Sequence, residues 1–317
     1  MLISASRRTD IPAFFGDWFM RRVEEGFFVA VNPFNPNQAA TYRFTPDDVD
    51  AIAFWTKDPA PFMVHLDALD ARGYRYYFMV TLNDYPAAFE PGVPPLVRRI
   101  EAFRRLSERI GPQRVVWRYD PIIISTATPI EYHLERLARL TTALAGHTER
   151  MIISFLDFYS KVGPRLRKLG AREGIAFTDI AVPEQREQLI GLASDINRLA
   201  TAAGMRVQTC CEPVDLSAAD IRHGACIDAE YIETTLGVPR RARPAANQRQ
   251  GCLCAHSVDV GAYNTCRFQC VYCYATLSEK AVLANRARHS VDGPALLDRQ
   301  VRSPGAPKHK VFPGSHD

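Results

Sequence analysis

Three cysteines near the carboxyl end of the chain have the spacing of iron–sulfur ligands. Cys266, Cys270 and Cys273 form a CxxxCxxC pattern. Thiolates are the usual ligands of 4Fe–4S clusters, and a full set has four of them. Three thiolates on one tight loop could therefore hold three irons and leave the fourth open to a small molecule or to a ligand from elsewhere. The pattern predicts a 4Fe–4S site at this loop.

Five more cysteines precede this loop, whereas the first 209 residues contain none. They are Cys210, Cys211, Cys226, Cys252 and Cys254. Cysteines gathered in one part of a chain that lacks an export signal indicate metal or redox chemistry rather than a disulfide framework. Four thiolates could bind a second 4Fe–4S cluster or a tetrahedral zinc ion, and we favour Cys211 over Cys210 among the ligands. His223 and His256 are alternative ligands, and thiols without a metal are the third interpretation.

The composition is that of a globular protein outside the membrane. Hydrophobic residues make up 47% and charged residues 23% of the sequence, and no apolar run is long enough to span a bilayer. Charge appears at Arg7 and Arg8, too early for a signal peptide. The net charge of +4 permits an anionic partner without indicating one. We expect a cytoplasmic protein.

Strand-like runs alternate with helix-like segments through most of the chain. The strand-like runs, which are rich in Val, Ile, Phe and Tyr, are residues 2–6, 27–31, 51–55, 74–82, 114–118, 151–155 and 205–209. The clearest helical patterns are residues 11–25, 94–110, 129–145 and 183–203. This alternation predicts βαβ units and a parallel sheet, either closed as an α/β barrel or open and doubly wound. Residues 257–263 predict one more short strand before the cysteine loop.

Polar side chains follow nearly every predicted strand. The carboxyl ends of the strands carry the active site in α/β barrels, so we expect these side chains around one pocket. Candidate catalytic residues are Lys57, Arg118, Asp120, Asp157, Tyr159 and Glu212. Candidate cofactor-binding residues at the other strand ends are Arg8, Asp10 and Asn32. Arg118 and Asp120 interrupt an apolar run in which an unpaired charge would be costly, and a purely structural ion pair is the alternative.

The cysteine loop resembles the signature of radical S-adenosylmethionine (radical SAM) enzymes, in which S-adenosylmethionine chelates the open iron through its amino and carboxylate groups. Those enzymes carry the motif after the first strand of an α/β barrel, whereas here it begins at residue 266 of 317. A strand and its loop moved to the end of the chain could keep their place in space, because close termini tolerate permutation. The resemblance implies a partial TIM-like α/β barrel of circularly permuted radical SAM type.

The whole chain resembles the domain of unknown function 1848 family. The shared stretches are Ser-Arg-Arg-Thr-Asp-Ile-Pro at residues 6–12, Phe-Trp-Thr-Lys at residues 54–57, Trp-Arg-Tyr-Asp-Pro at residues 117–121 and the cysteine motif near the end. With the permuted order, the division is barrel strands and helices in residues 1–209, a cysteine-rich segment that completes the barrel in residues 210–285, and a basic tail in residues 286–317.

The resemblance also implies a reaction. S-adenosylmethionine would be cleaved reductively, with an electron from a donor such as flavodoxin or ferredoxin, and the resulting 5′-deoxyadenosyl radical would take hydrogen from an unidentified substrate. Tyr272, directly before the third cysteine, would lie near the adenine. The chain lacks the Gly-Gly-Glu segment that usually binds the methionine amino group. Asn32, Lys57 and Arg118 are candidate replacements.

Individual roles follow for the strand-end residues under this interpretation. Lys57 and Arg118 could pair with the cofactor carboxylate, which a guanidinium fork fits in a two-point contact. Asp120 or Asp157 could hold ribose hydroxyls. Tyr159 and the spare cysteines could relay a hydrogen atom.

Two other functions fit parts of the sequence. The three cysteines with one of the other five could form a 4Fe–4S centre for electron transfer without catalysis. The basic residues between Arg286 and Lys310 could instead belong to a zinc-stabilised nucleic-acid-binding protein. That segment has few aromatic residues to stack on bases, which weakens the nucleic-acid interpretation.

Overall fold

The computed structural model describes residues 1–35, 37–158, 161–239, 245 and 251–297. The strands in these ranges are β1 Leu2–Ala5, β2 Phe27–Val31, β3 Ala39–Arg43, β4 Ala51–Thr56, β5 Tyr76–Thr81, β6 Val115–Ile122, β7 Ile124–Ser125, β8 Arg150–Phe155, β9 Phe177–Thr178, β10 Arg206–Cys210, β11 Arg222–Gly224 and β12 Ser257–Asp259. The helices are α1 Ile11–Phe14, α2 Gly16–Glu25, α3 Leu66–Ala71, α4 Leu96–Ile110, α5 Ile130–Leu144, α6 Gly163–Glu173, α7 Arg186–Ala202, α8 Ala229–Leu236 and α9 Glu279–Arg286.

Eight strands form one parallel sheet in the order β11-β10-β8-β6-β5-β4-β1-β12. The predicted mixed α/β fold with a parallel sheet is confirmed. From β1 to β11 the strands follow chain order, and the last strand, β12, pairs with the first, with Leu2 opposite Ser257. Within the described ranges β11 and β12 are edge strands that do not pair with each other, so no closed barrel forms.

The predicted strand at residues 27–31 forms, but it lies outside the large sheet. β2 pairs antiparallel with β3, with Phe27 opposite Arg43 and Val31 opposite Ala39. The loop between them is short, which favours hairpin pairing over a crossover to the parallel sheet. Asn32 therefore follows a hairpin strand and not a strand of the large sheet, and it lies beside residues 260–264, which follow β12.

The two faces of the sheet pack against different parts of the chain, because alternate residues of a strand point to opposite faces. One set, including Phe54, Phe78 and Trp117, packs against the apolar sides of α2, α4, α5 and α7. The other set, including Ala53 and Met79, packs against α8 and the cysteine-rich segment. The segment between Cys210 and Cys254, which carries five of the cysteines, therefore packs on the second face of the sheet.

The predicted helix at residues 11–25 is divided in two. Asp10 caps α1 by accepting a hydrogen bond from the Ala13 amide, and Phe15 then leaves the helical conformation before α2 begins at Gly16. Asp10 itself lies between β1 and α1, and its carboxylate accepts a hydrogen bond from the Lys57 amide just after β4. None of the helices in the described ranges combines the length and the apolar character that a bilayer crossing requires.

Candidate functional site

The end of β12 is attached to the end of β1 by one carboxylate. Asp259 accepts hydrogen bonds from the hydroxyls of Ser4 at 2.8 Å and Ser6 at 2.7 Å. It also accepts one from the backbone amide of Arg7 at 2.8 Å. A carboxylate with several donors holds its neighbours more firmly than a neutral acceptor does. The chain therefore leaves the sheet beside β1 and enters the cysteine loop at a fixed position.

The cysteine loop is closed at its neck by Asn264. The Asn264 amide donates to the carbonyl of Ala275 at 2.9 Å, and its side-chain oxygen accepts from the Leu277 amide at 2.6 Å. Inside the loop, the Cys273 amide donates to the Cys270 carbonyl at 3.0 Å. Gln269 adopts a left-handed φ of 57°, which turns the chain tightly between the cysteines.

The three cysteine sulfurs act on one another across the loop. Burial raises the pKa of the Cys266 thiol well above its usual range, and the charges of Asp10, Cys273 and Cys270 add to the rise. Burial also raises the pKa of Cys270, although the positive charge of Lys57 opposes this. Metal binding requires thiolates, and the positive charge of Lys57 favours this form at Cys270.

A second loop, which follows β5, packs directly onto the cysteine loop. The Gly92 amide donates to the Phe268 carbonyl at 3.0 Å, and the Val271 amide donates to the Phe89 carbonyl at 3.0 Å. A side chain at Gly92 would meet the Phe268 carbonyl oxygen at 2.9 Å, so the approach requires glycine. The ring of Phe14 lies 4.6 Å from that of Phe268. These contacts cover the cysteine loop from one side.

This second loop brings a buried carboxylate beside the cysteines. Glu90 accepts a hydrogen bond from Lys57 Nζ at 2.8 Å and another from the Tyr272 hydroxyl. Burial alone would lower the pKa of Lys57, but the charges of Glu90 and Cys270 outweigh it and raise that pKa. Lys57 therefore stays cationic in a buried position, 5.6 Å from the centre of the Tyr272 ring.

Asp10 connects the ends of β1 and β4. Its carboxylate accepts from the Lys57 amide at 2.7 Å and from the Ala13 amide at 2.9 Å. Burial raises the pKa of Asp10 to about 7, even though both hydrogen bonds act in the opposite direction. Asp10 can therefore gain or lose a proton near neutral pH, close to Cys266.

Arg118 and Asp120 form the ion pair that their sequence spacing allows. Both side chains are largely buried, and Ser154 donates a further hydrogen bond to Asp120. Burial would raise the pKa of Asp120, but the Arg118 charge and these hydrogen bonds hold it below its usual range. The Arg118 guanidinium also donates to Cys226 Sγ at 2.8 Å. The pair thus lies between the sheet edge and the group of five cysteines.

The remaining candidates lie at different distances from this centre. Glu212 is buried and accepts from the Phe155 amide at 3.0 Å, and Asp157 follows β8 in a half-buried position. Arg8 and Asn32 line a separate cavity of about 250 Å³ behind the start of the cysteine loop. Asn32 is held within the hairpin loop, where its side chain donates to Gln38 at 2.8 Å. Tyr159 lies outside the described residues.

The structure therefore brings together some of the predicted site and adds to it. Lys57 and Asp10 lie beside the cysteine loop, which itself carries Tyr272. The ion pair of Arg118 and Asp120 lies next to them. Glu90 and Asp259 were not among the sequence candidates. Glu90 follows β5 by nine positions, and its one visible signal is a carboxylate before a Pro-Gly pair. Asp259 lies inside the predicted strand at residues 257–263, where an isolated carboxylate in a short strand is the signal.

The cysteine loop can be compared with what a cluster requires. Within the described part of the chain, no three Cys, His, Asp or Glu side chains are gathered as a site for one metal ion. A 4Fe–4S cluster takes its thiolates at separate irons, so the requirement is three sulfurs on one closed loop. Cys266, Cys270 and Cys273 lie on such a loop, with Cys270 buried and the other two half-buried, and Lys57 places a positive charge near Cys270.

The other five cysteines share one apolar group on the second face of the sheet. Cys210 and Cys226 form a disulfide, with their Cα atoms 6.1 Å apart, while Cys211, Cys252 and Cys254 are not in disulfides. The predicted ligands Cys211, Cys226, Cys252 and Cys254 therefore lie on the same face, but the disulfide occupies Cys226, so the structure does not present them as four thiolates. The alternative ligand His223 instead donates to the Gly251 carbonyl at 2.7 Å, and His256 is exposed.

Comparison with known proteins gives one match. The family model described as Domain of unknown function (DUF1848) matches residues 2–275. No curated protein matches the chain significantly. The matched range contains β1 through β12, the whole cysteine loop and every candidate site residue named above.

Proposed function

The chain belongs to the domain of unknown function 1848 family, and we propose that it is an iron–sulfur enzyme of the radical SAM kind. The observation that carries the proposal is the position of the cysteine loop. It leaves the sheet from β12, beside β1, and lies against Lys57, Asp10 and Glu90 at the carboxyl ends of the neighbouring strands. A closed loop of three thiolates beside fixed charges suits a cluster with one open iron.

The strand order supports a permuted barrel. Starting from β12, the sheet reads β12-β1-β4-β5-β6-β8-β10-β11, which is chain order with the last strand moved to the front. A sheet without an order reversal is built like part of an α/β barrel, whereas a doubly wound sheet reverses its order at a switch point. We therefore interpret the sheet as a partial barrel of radical SAM type whose first strand and loop come last in the sequence.

In this proposal Cys266, Cys270 and Cys273 would hold a 4Fe–4S cluster. Together with S-adenosylmethionine, such a cluster supplies the one-electron cleavage that starts radical chemistry. The packing of Phe89, Gly92 and Phe268 over the loop excludes water from one side of it. Exclusion of water strengthens every charge interaction in the site.

The charged residues of the site would bind and orient the cofactor. Lys57, held by Glu90 and Tyr272, keeps a positive charge next to Cys270 and so favours the thiolate form of that ligand. The Arg118 guanidinium is a fixed two-point donor at the next strand end, suited to a carboxylate. Asp10, whose pKa is about 7, can hold or release a proton at its carboxylate beside Cys266.

The substrate class stays open in this proposal, and the partners follow from the chemistry. An electron must come from a low-potential donor such as flavodoxin or ferredoxin. A reduced cluster needs a reducing compartment, which is why we propose a cytoplasmic location.

Electron paramagnetic resonance of the reduced cluster tests the proposal. Protein purified and reconstituted without oxygen is reduced with dithionite, and the spectrum is recorded with and without S-adenosylmethionine. We expect the spectrum to change on addition, because the cofactor binds the open iron. The Cys270→Ser variant, which lacks one ligand, should show neither the signal nor the change.

Two results would favour the alternatives. An unchanged spectrum from a fully loaded cluster would indicate an electron-transfer protein with a complete ligand set. Zinc without iron or sulfide in the purified protein would indicate the zinc-stabilised alternative.

A further inference from the structure

The five cysteines on the second face of the sheet form a group that the proposed function does not use. Four of them, Cys210, Cys211, Cys226 and Cys254, are buried there, and Cys252 packs against the same group. They come from three separate segments of the chain. Cysteines from three separate segments seldom share one apolar cluster by chance. Thiolates are ligands that select soft metals.

Hydrogen-bond donors and positive charges approach these sulfurs. The Arg118 guanidinium donates to Cys226 Sγ at 2.8 Å. Burial raises the pKa of the Cys254 thiol, while a hydrogen bond from the Ile227 amide and the positive charge of Arg7 act in the opposite direction. Donors to sulfur stabilise thiolates and tune the metals bound to them.

The segments that carry the cysteines are fixed to one another. The Ala255 amide donates to the Ile227 carbonyl at 2.8 Å, so Cys254 and Cys226 lie on adjoining backbone. His223 holds the carbonyl of Gly251, next to Cys252. Cys211 adopts a left-handed φ of 54° at the point where the chain leaves β10. A non-glycine residue in this conformation marks a position that the surrounding structure enforces.

We propose that Cys211, Cys226, Cys252 and Cys254 form a second metal–thiolate site, distinct from the CxxxCxxC loop. Its metal is an iron–sulfur cluster, whose separate irons take four thiolates, because no group of side chains within the described residues is gathered closely enough for a single zinc ion. This proposal does not depend on the proposed function, because a metal here would bind whether or not the first loop reacts with S-adenosylmethionine.

The Cys210–Cys226 disulfide is the oxidised, metal-free form of this site. Two electrons and two protons from a dithiol reductant convert the disulfide to two thiols, and the dithiol becomes a disulfide. Cys226 then becomes available as a ligand, and Cys210 is left as a fifth thiol next to the site. Metal loading should therefore require prior reduction of the protein.

Arg118 connects this site to the first one. One end of its guanidinium contacts Cys226, and the other pairs with Asp120, whose charge interacts with that of Lys57. Lys57 in turn acts on Cys270. A continuous series of charged groups thus runs from one group of sulfurs to the other, so the charge at the second site contributes to the electrostatic environment of the first.

Metal content tests the proposal directly. Full-length protein is reduced with dithiothreitol under nitrogen and reconstituted with ferrous iron and sulfide before metal and sulfide are measured. The Cys252→Ser/Cys254→Ser variant should lose the second site. With a second cluster, iron falls by half, from about eight to about four per chain.

Matched variants separate this loss from misfolding and from the first site. Leu253 lies between the two cysteines and is 61% exposed, so Leu253→Ser alters the same segment without removing a thiol and should keep all of the metal. Cys266→Ser should remove the first cluster and leave the second site loaded. Cys210→Ser should keep the metal and no longer need dithiothreitol for loading.

Three results would overturn the proposal. The first is equal metal and sulfide content in the Cys252→Ser/Cys254→Ser variant and the unmodified protein. The second is a Cys266→Ser variant that binds no iron after reduction. The third is loss of the second metal in Cys210→Ser, which would reject the ligand assignment.

Discussion

Replacing Glu90 with glutamine tests whether the buried charges beside the cysteine loop are arranged as described. Glu90 is 4% exposed and accepts hydrogen bonds from Lys57 and Tyr272. Glutamine has nearly the same shape and its oxygen can still accept both hydrogen bonds. The substitution therefore removes the negative charge and leaves Lys57 buried without its partner.

The expected cost follows from that unpaired charge. Removing one partner of a buried ion pair costs about 3–5 kcal/mol, and the retained hydrogen bonds place Glu90→Gln near the lower end, at about 3 kcal/mol. In a domain of this size, about 1 kcal/mol lowers the Tm by about 2 °C, so the Tm should fall by about 6 °C. Neutralising Lys57 as well should restore part of this loss, because no charge then remains unpaired.

Thermal unfolding of the metal-free proteins at pH 7, followed by circular dichroism, measures the effect. The control is Glu101→Gln, which neutralises an exposed carboxylate on α4 and should leave the Tm unchanged. A double-mutant cycle with Lys57→Met isolates the coupling between Lys57 and Glu90. Equal Tm values for Glu90→Gln and Glu101→Gln, or strictly additive effects in the cycle, would refute the buried pair.

Two further substitutions test the packing of the loops and the burial of a histidine. Gly92→Ala should lower both the Tm and the iron content, because its Cβ would lie 2.9 Å from the Phe268 carbonyl oxygen, whereas Gly191→Ala in α7 meets open space and should gain about 0.5–1 kcal/mol. Equal iron and Tm for the two variants would contradict the loop packing. Burial lowers the pKa of His133 from 6.5 to about 4, so the unfolded chain binds the extra proton first and stability falls as the pH falls through that window. His133→Gln should remove up to about 3 kcal/mol of this pH dependence, as measured by urea unfolding between pH 7 and pH 4. The exposed-site control His256→Gln should keep the pH profile of the unmodified protein, and the same profile in His133→Gln would contradict the burial of His133.

The parallel sheet was predictable from the sequence because its signals are local. Apolar runs such as those of β4 and β8 are typical of strands buried on both faces, and the helical patterns between them fix the crossovers. The strand before the cysteine loop was predictable for the same reason. The ion pair of Arg118 with Asp120 was one of the two interpretations of those residues. It was predictable because a buried charge without a partner is costly.

The position of Glu90 was not predictable, because it depends on contacts between distant segments. Its loop is held by hydrogen bonds from Gly92 to Phe268 and from Val271 to Phe89, across about half of the chain. Asn32 does not follow a strand of the large sheet, because β2 pairs with β3 instead of joining the parallel strands. A strand such as β2 can pair with the next strand in a hairpin or join the parallel sheet through a crossover. Its apolar residues are compatible with either arrangement, so the sequence does not decide between them.

The gathering of the five upstream cysteines was predictable from their placement, but the bond between Cys210 and Cys226 was not. Cysteine connectivity depends on the fold rather than on spacing. Cys210 ends β10 and Cys226 follows β11, so the pairing of these two neighbouring strands in the sheet brings the two sulfurs together.

Formation of 5′-deoxyadenosine tests the central claim most directly. Protein reconstituted without oxygen is mixed with S-adenosylmethionine and dithionite, and the products are separated by liquid chromatography and identified by mass spectrometry. We expect 5′-deoxyadenosine and methionine from the unmodified protein and neither product from Cys270→Ser. A protein that carries its full cluster at the CxxxCxxC loop and yet forms no 5′-deoxyadenosine would contradict the account.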